Sequence, residues 1–146
     1  GLMEKLDWRQ KSSWDALFES ELVHSPTPDR ARREWPLFVK SDIARTLASP
    51  SFFVQVEVPF LRPRPDGNCV EGFIDLVACD SKRENWIVLD WKTNEIEGAK
   101  VTELWQIYEP QVAEYVQTVR LAAGPKPTIT ACLYSTCCGQ TVTSKD

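Results

Sequence analysis

The chain has 146 residues, enough for one domain with a sizeable core, and at 42% hydrophobic and 26% charged it has the composition of a globular protein rather than a disordered or fibrous one. With 21 acidic and 17 basic residues, its net charge of −4 argues against a protein that merely coats nucleic acid, but not against an enzyme that meets phosphate through a bound cation. No apolar run reaches membrane-spanning length and no basic-then-apolar leader opens the chain, so the expectation is a cytoplasmic protein with no membrane partner.

In chain order, Trp14, Leu17, Phe18 and Glu21 have helical spacing, and Ser25-Pro26-Thr27-Pro28 breaks that helix. A second helical stretch is expected from about Asp29 to Ala48, starting near Pro36 and ended by Ser49-Pro50. From Phe52 to Leu61 the period changes to two, with Val54, Val56, Val58 and Phe60 on one face, which predicts a strand ending near Pro59. Arg62 to Asn68 reads as a turn. Val70 to Ala78 and Trp86 to Lys92 read as two further strands joined by the polar loop Asp80 to Asn85.

Glu109 to Ala123 reads as a helix with Pro110 in its first turn and Gly124-Pro125 as its stop. Thr128 to Tyr134 alternates as a fourth strand, and the polar tail from Ser135 is expected to fray. The fold class is α/β, a mixed central sheet flanked by helices in the order α-β-β-β-α-β. Residues 1–146 are read as a single domain, with 1–30 as an N-terminal extension and 33–134 as its core.

Five cysteines, Cys69, Cys79, Cys132, Cys137 and Cys138, form no C-x-x-C pair, and the adjacent Cys137 and Cys138 are poorly placed to ligate one metal. Free thiols are expected.

Two residues stand out chemically. Asp75 lies inside the apolar run Gly72-Phe73-Ile74-Asp75-Leu76-Val77, and Asp90 inside Ile87-Val88-Leu89-Asp90-Trp91-Lys92. A carboxylate in such a strand is costly unless it is paired or bound to a metal. If the two strands pair as a hairpin, Asp75 sits beside Asp90, and strand alternation points Asp90 and Lys92 the same way. Neighbouring carboxylates repel, and a divalent cation removes the conflict. Lys92 then adds a positive charge that can hold a water or stabilise charge developing on phosphate. The bland alternative is that all three are solvent-facing strand-end residues. Gln111 and Tyr115, four apart, share one helix face. By periodicity alone Tyr115 is core, and Glu57 faces solvent opposite the apolar side of its strand.

Gly72-Phe73-Ile74-Asp75 followed by Leu89-Asp90-Trp91-Lys92-Thr93 resembles the PD-(D/E)XK nuclease motif, in its RecB-like form. Glu57-Val58-Pro59-Phe60 matches the Glu-x-Pro-Phe-like stretch of that branch. Gln111-Val112-Ala113-Glu114-Tyr115 matches its Gln-x-x-x-Tyr signature, with Tyr108 at a preceding position often held by Tyr. The resemblance runs from about Arg33 to Tyr134.

The resemblance implies a restriction-endonuclease-like fold and a magnesium-dependent (or manganese-dependent) deoxyribonuclease, an exonuclease. Asp75, Asp90 and the backbone carbonyl of Trp91 would bind metal and Lys92 would be catalytic. Glu57 would be a possible accessory carboxylate, with Gln111 and Tyr115 on the rim near metal or DNA. The implied setting is the nuclease module of a helicase–nuclease of DNA repair or recombination, with DNA as substrate and helicase domains in the same or a partner chain.

Two departures qualify the match. Members usually carry a metal-ligating His on an early helix, whereas the only His here is His24 beside Ser25-Pro26, read as a loop residue. Cluster-binding members have one Cys before the core and three after it, a pattern missing here, so no iron–sulfur cluster is expected. The missing His keeps a second reading open, a catalytically inactive nuclease-like module that binds DNA or braces a helicase. A stand-alone restriction-type enzyme would need a sequence-reading insertion, and none is evident.

Overall fold

A computed structural model describes residues 1–95 and 100–145. It shows a five-stranded sheet in the order β1-β2-β3-β4-β5, built from β1 (Phe52–Pro63), β2 (Cys69–Asp80), β3 (Asn85–Lys92), β4 (Thr128–Ser135) and β5 (Gln140–Lys145). The β3–β4 pair is parallel and the other three pairs are antiparallel. A parallel pair needs a crossover, and helix α5 (Val101–Ala123) supplies it. Ahead of the sheet lie α1 (Leu2–Lys5), a 3-10 turn at Lys11–Ser13, α2 (Trp14–Leu22), α3 (Pro28–Val39) and α4 (Asp42–Leu47). The α-β-β-β-α-β order and the mixed α/β class expected from the sequence are both present.

The boundaries differ in places. Ser135 onward does not fray into a tail: β5 pairs with β4 from Ser135↔Gln140 to Thr130↔Lys145. Its side chains are mostly exposed, so it lacks the apolar alternation by which a strand is recognised. The turn before it requires glycine. Gly139 has φ +66°, and a Cβ there would lie 2.8 Å from the Leu37 Cβ.

The Asp29–Ala48 stretch is two helices rather than one. The first starts at Pro28 and carries Pro36 inside it, and the second is capped by Ser41, whose side chain accepts from the Ala44 N–H at 3.2 Å. Helix α5 begins eight residues before Glu109, which places Pro110 in its interior rather than in its first turn. Pro110 is exposed, so the carbonyl it leaves without a helical donor can be met by water. Strand β1 continues past Pro59 to Pro63. It is an edge strand, where a residue without an N–H breaks no ladder on its open side.

The sheet's two faces are covered differently. On one face, α1 to α4 pack Trp8, Trp14, Phe18, Leu22, Trp35, Phe38 and Leu47 against Leu76, Ala78, Ile87, Leu89, Cys132 and Tyr134. On the other, α5 packs Tyr115 and Val119 against Ile74, Val77, Val88 and Ile129. Residues before Arg33 thus contribute Leu6, Trp8, Trp14, Phe18 and Leu22 to the main core. Strand β3 is buried on both faces from Ile87 to Asp90, as the centre of a covered sheet should be.

Strand β1 changes faces partway along. Val54 and Val56 join the first cluster, while Val58 and Phe60, of the same parity, join the second. Glu57 lies at the changeover with φ +48°, a left-handed conformation unusual for a side chain bearing a Cβ. This bends the distal half of the β1–β2 hairpin over α5. There Phe60 packs edge-on against Tyr115, with ring centroids 5.7 Å apart, and Arg62 and Arg64 both pair with Glu114.

Candidate active site

Strands β2 and β3 pair from Cys79↔Trp86 to Leu76↔Leu89, and there the ladder stops. The next cross-strand pair in register is Asp75 and Asp90. The strands separate at that point because β2 continues along the bent β1, while β3 continues along β4 as far as Lys92↔Ser135. The split leaves backbone groups of β3 without a strand partner on the β2 side. Asp75 compensates, its Oδ2 accepting from the Trp91 N–H at 2.8 Å. A strand residue's carbonyl points to the same side as its N–H, so the Trp91 carbonyl also opens toward the split.

Alternation along β3 sends Trp91 to the aromatic face, edge-on to Phe38 and Tyr134 and stacked on Trp8. Asp90 and Lys92 project to the other face. Asp90 is only 3% exposed. Lys92 Nζ lies 2.7 Å from Asp90 Oδ2, yet that buried oxygen has no partner in hydrogen-bonding geometry among the described residues. It has a neutralising charge beside it but an unused lone pair.

Burial drives the Asp75 carboxyl above the usual carboxylate range. The Trp91 N–H opposes this by stabilising the charged form, and the neighbouring Asp90 raises it further. Burial likewise pushes the Tyr115 hydroxyl up, with smaller contributions from Asp90 and Asp75. Tyr115 is therefore both a core residue, as its spacing predicts, and a neighbour of the acidic pair.

The remaining sequence candidates fall around this centre. Gln111 is exposed on α5, within one turn of both Tyr108 and Tyr115. Glu57 is exposed and opposes Asp75 in the register of β1 and β2, where the ladder skips one pair between Val56↔Leu76 and Val58↔Ile74. His24 lies exposed between α2 and α3. Among the described residues no three His, Cys, Asp or Glu side chains are grouped closely enough to hold a metal ion.

Two contacts beside this centre follow from no spacing rule. Tyr108, which stands ahead of the Gln-x-x-x-Tyr stretch, places its ring centroid 3.6 Å from Lys92 Nζ. Arg30 of α3, held by Glu34 at 2.6 Å, donates to the carbonyl of Thr93 and braces the chain just after Lys92. The i, i+4 spacing of Arg30 and Glu34 announces a helix-surface pair, but nothing in it points to Thr93.

Two adjacent carboxylates, one with an unused buried lone pair, and a backbone carbonyl opening beside them make a donor set of hard oxygens, which suits a divalent cation such as Mg²⁺. Asp75 and Asp90 would hold it, with the Trp91 carbonyl alongside. The sequence profile of the PD-(D/E)XK nuclease superfamily matches residues 3–143. No curated protein shows significant similarity to the chain. No helix among the described residues is long and apolar enough to cross a membrane.

Proposed function

The chain belongs to the PD-(D/E)XK nuclease superfamily, and on that premise we propose that it hydrolyses DNA phosphodiester bonds with Mg²⁺ or Mn²⁺ at a centre formed by Asp75, Asp90 and Lys92. The observation that carries this reading is the acidic pair at the split between β2 and β3, Asp90 buried and Asp75 half-buried, with the Lys92 ammonium 2.7 Å from Asp90. A bound divalent cation supplies Lewis acidity toward a phosphate oxygen and lowers the pKa of water. Asp75 and Asp90 bind it, and the Trp91 N–H fixes the Asp75 carboxylate in place. Lys92, released from charge pairing with Asp90, is free to orient the attacking water and to stabilise charge growing on the phosphate. Tyr115 packs against Phe60 and excludes water from the inner side of the pair.

The finer assignment is an exonuclease module of a RecB-like helicase–nuclease of repair or recombination. The Glu57 to Phe60 stretch and the Gln111 and Tyr115 pair on α5 support it. In this setting the isolated domain holds DNA weakly and in a salt-sensitive way, and a tethered motor raises the local DNA concentration.

The competing reading, a nuclease-like module that binds without cutting, draws on the absence of a third acidic or His ligand beside Asp75 and Asp90 among the described residues. Incubation with linear single-stranded DNA in Mg²⁺ or Mn²⁺ decides between them. Cleavage that stops in excess EDTA and is lost in Asp90→Asn is expected. Metal-dependent DNA binding with no products from the wild-type protein would establish the inactive module instead.

A further inference from the structure

We propose that Tyr108 is a positioning residue for the Lys92 ammonium, holding it by the face of its ring while Asp90 turns to the metal. The inference rests on the nuclease reading above and adds to it a residue acting through Lys92. Its basis is geometric. Lys92 Nζ lies 3.6 Å from the Tyr108 ring centroid and 2.7 Å from Asp90 Oδ2, so the ammonium is held between a carboxylate and an aromatic face. Attraction of a cation to a ring face operates out to about 6 Å from the centroid, so this contact is a close one.

The two partners of Lys92 differ in what they do when a cation arrives. Asp90 is claimed by both the ammonium and the metal. A divalent ion that takes the unused lone pair of Asp90 Oδ2 weakens its hold on Lys92. A lysine side chain then regains the freedom of a four-carbon stem, and a freely moving ammonium is a poor aid to catalysis at a fixed phosphate. The ring face of Tyr108 has no lone pair directed at the metal and no site that takes the lysine proton. It keeps the ammonium charged and local without competing for the ion. A third carboxylate at this position would also hold the ammonium charged, but it would compete for the ion.

The placement in the fold is suited to this task. Lys92 is the last residue of β3, and Tyr108 is in the second turn of α5, the helix that returns the chain to the parallel strand β4. The contact therefore ties the end of the catalytic strand to the helix that carries Gln111 and Tyr115. Arg30, by binding the Thr93 carbonyl, steadies the same strand end from the opposite face.

The test uses the whole chain and two readouts. In metal-free protein, the Lys92 side-chain methylene protons nearest Nζ should be shifted upfield by the ring current of Tyr108. The shift should persist in Tyr108→Phe and vanish in Tyr108→Leu. In Mg²⁺, Tyr108→Leu should lower kcat for single-stranded DNA about tenfold, with KM changed less than about twofold, while Tyr108→Phe stays near wild type. Pentafluorophenylalanine at position 108 keeps the ring's shape but reverses its electrostatic face, so it should lower kcat as Leu does even if Tyr108→Leu folds poorly. An unmoved Lys92 signal in Tyr108→Leu overturns the contact, and wild-type kcat in the pentafluoro variant overturns its role. If the wild-type protein cuts no DNA with either metal, the nuclease reading falls on its own, and the Lys92 resonance alone decides whether the ring holds the ammonium.

Discussion

The two faces of the central sheet are built to different standards, and strand β3 serves both. Its odd positions, Ile87, Leu89 and Trp91, enter the face covered by α1 to α4, where Trp8, Trp14, Trp35, Phe38, Trp91 and Tyr134 pack ring against ring. Its even positions, Val88, Asp90 and Lys92, enter the face covered by α5. There the apolar cluster is smaller and gives way at the split to the acidic pair. The aromatic face supplies the free energy that the polar face costs. Burying Asp90 beside Asp75 destabilises the fold, whereas locking Trp91 among the rings of Trp8, Phe38 and Tyr134 fixes the backbone N–H that holds Asp75. One strand can therefore carry both a rigid core and a strained polar site, because alternation keeps them on opposite sides.

That division predicts opposite consequences for two substitutions on opposite sides of β3. Asp90→Asn should reduce DNA cleavage by about a thousandfold or more, the loss of several kcal/mol of metal-derived stabilisation. It should leave the protein folded in EDTA, and should abolish the upward shift in melting temperature expected of the wild type in Mg²⁺. Phe38→Ala, on the aromatic face and 2% exposed, should cost about 4 kcal/mol by denaturant unfolding. Its kcat, measured where it is still folded, should fall no more than a few-fold, because Trp8 and Tyr134 still hold Trp91. If Phe38→Ala lost activity while folded, or Asp90→Asn unfolded the protein in EDTA, the two faces would not be separable in the way described.

A smaller effect sharpens the cost of the polar side. Burial raises the Asp75 pKa above its unfolded value, so in metal-free protein its proton is held more tightly in the folded state than in the unfolded one. Its ionisation therefore subtracts stability above its folded pKa. The subtraction disappears as pH falls through that raised pKa toward the ordinary carboxylate value. Asp66 and Asp80, whose pKa values are lowered by hydrogen bonds from Asn68 and Asn85, run the other way and lose their contribution as pH falls. The difference between wild type and Asp75→Asn isolates the first effect. In EDTA the Asn variant should be the more stable at pH 7, and its advantage should shrink toward pH 4 in chemical denaturation. An advantage that grew on acidification, or an Asn variant strongly destabilised at pH 7, would show that the carboxylate is held for structure.

The acidic pair was legible from sequence because an ionised residue inside an apolar run is a local anomaly with few remedies, and the hairpin register needed only the short polar loop from Asp80 to Asn85. The order of elements was legible for a similar reason, since hydrophobic period distinguishes β1 to β4 from α5. Features set by tertiary context were not. Strand β5 is held by hydrogen bonds to β4 rather than by burial, so its residues look like a tail. The left-handed backbone at Glu57 has no glycine to announce it, and it is what bends the hairpin over α5. Pro36 and Pro110 read as helix starts, but each sits inside a helix whose packing outweighs its cost. The contact between Lys92 and Tyr108 joins residues sixteen apart across a strand end and a helix, and no spacing rule finds it.

The smallest effect concerns the rim of the polar face. Gln111 is exposed on α5, and it shares the side of the helix that carries Tyr108 and Tyr115 at spacings of three and four residues. A buried glutamine would cost free energy to truncate, but an exposed one makes no contact that folding depends on. Alanine is also the better helix former, so Gln111→Ala should leave stability unchanged or raise it by about 0.5 kcal/mol at most. A rim amide that touches substrate acts on binding rather than on the transition state alone. The same variant should therefore raise KM for single-stranded DNA several-fold and leave kcat nearly unaltered. Gln117, exposed on the same helix, is the control, and Gln117→Ala should change neither. Equal KM values for the two variants would remove Gln111 from the substrate path and confine the site to the strand end and the Tyr108 ring. A fall in kcat for Gln111→Ala alone would move it inward, from the rim to the water or phosphate that Lys92 faces.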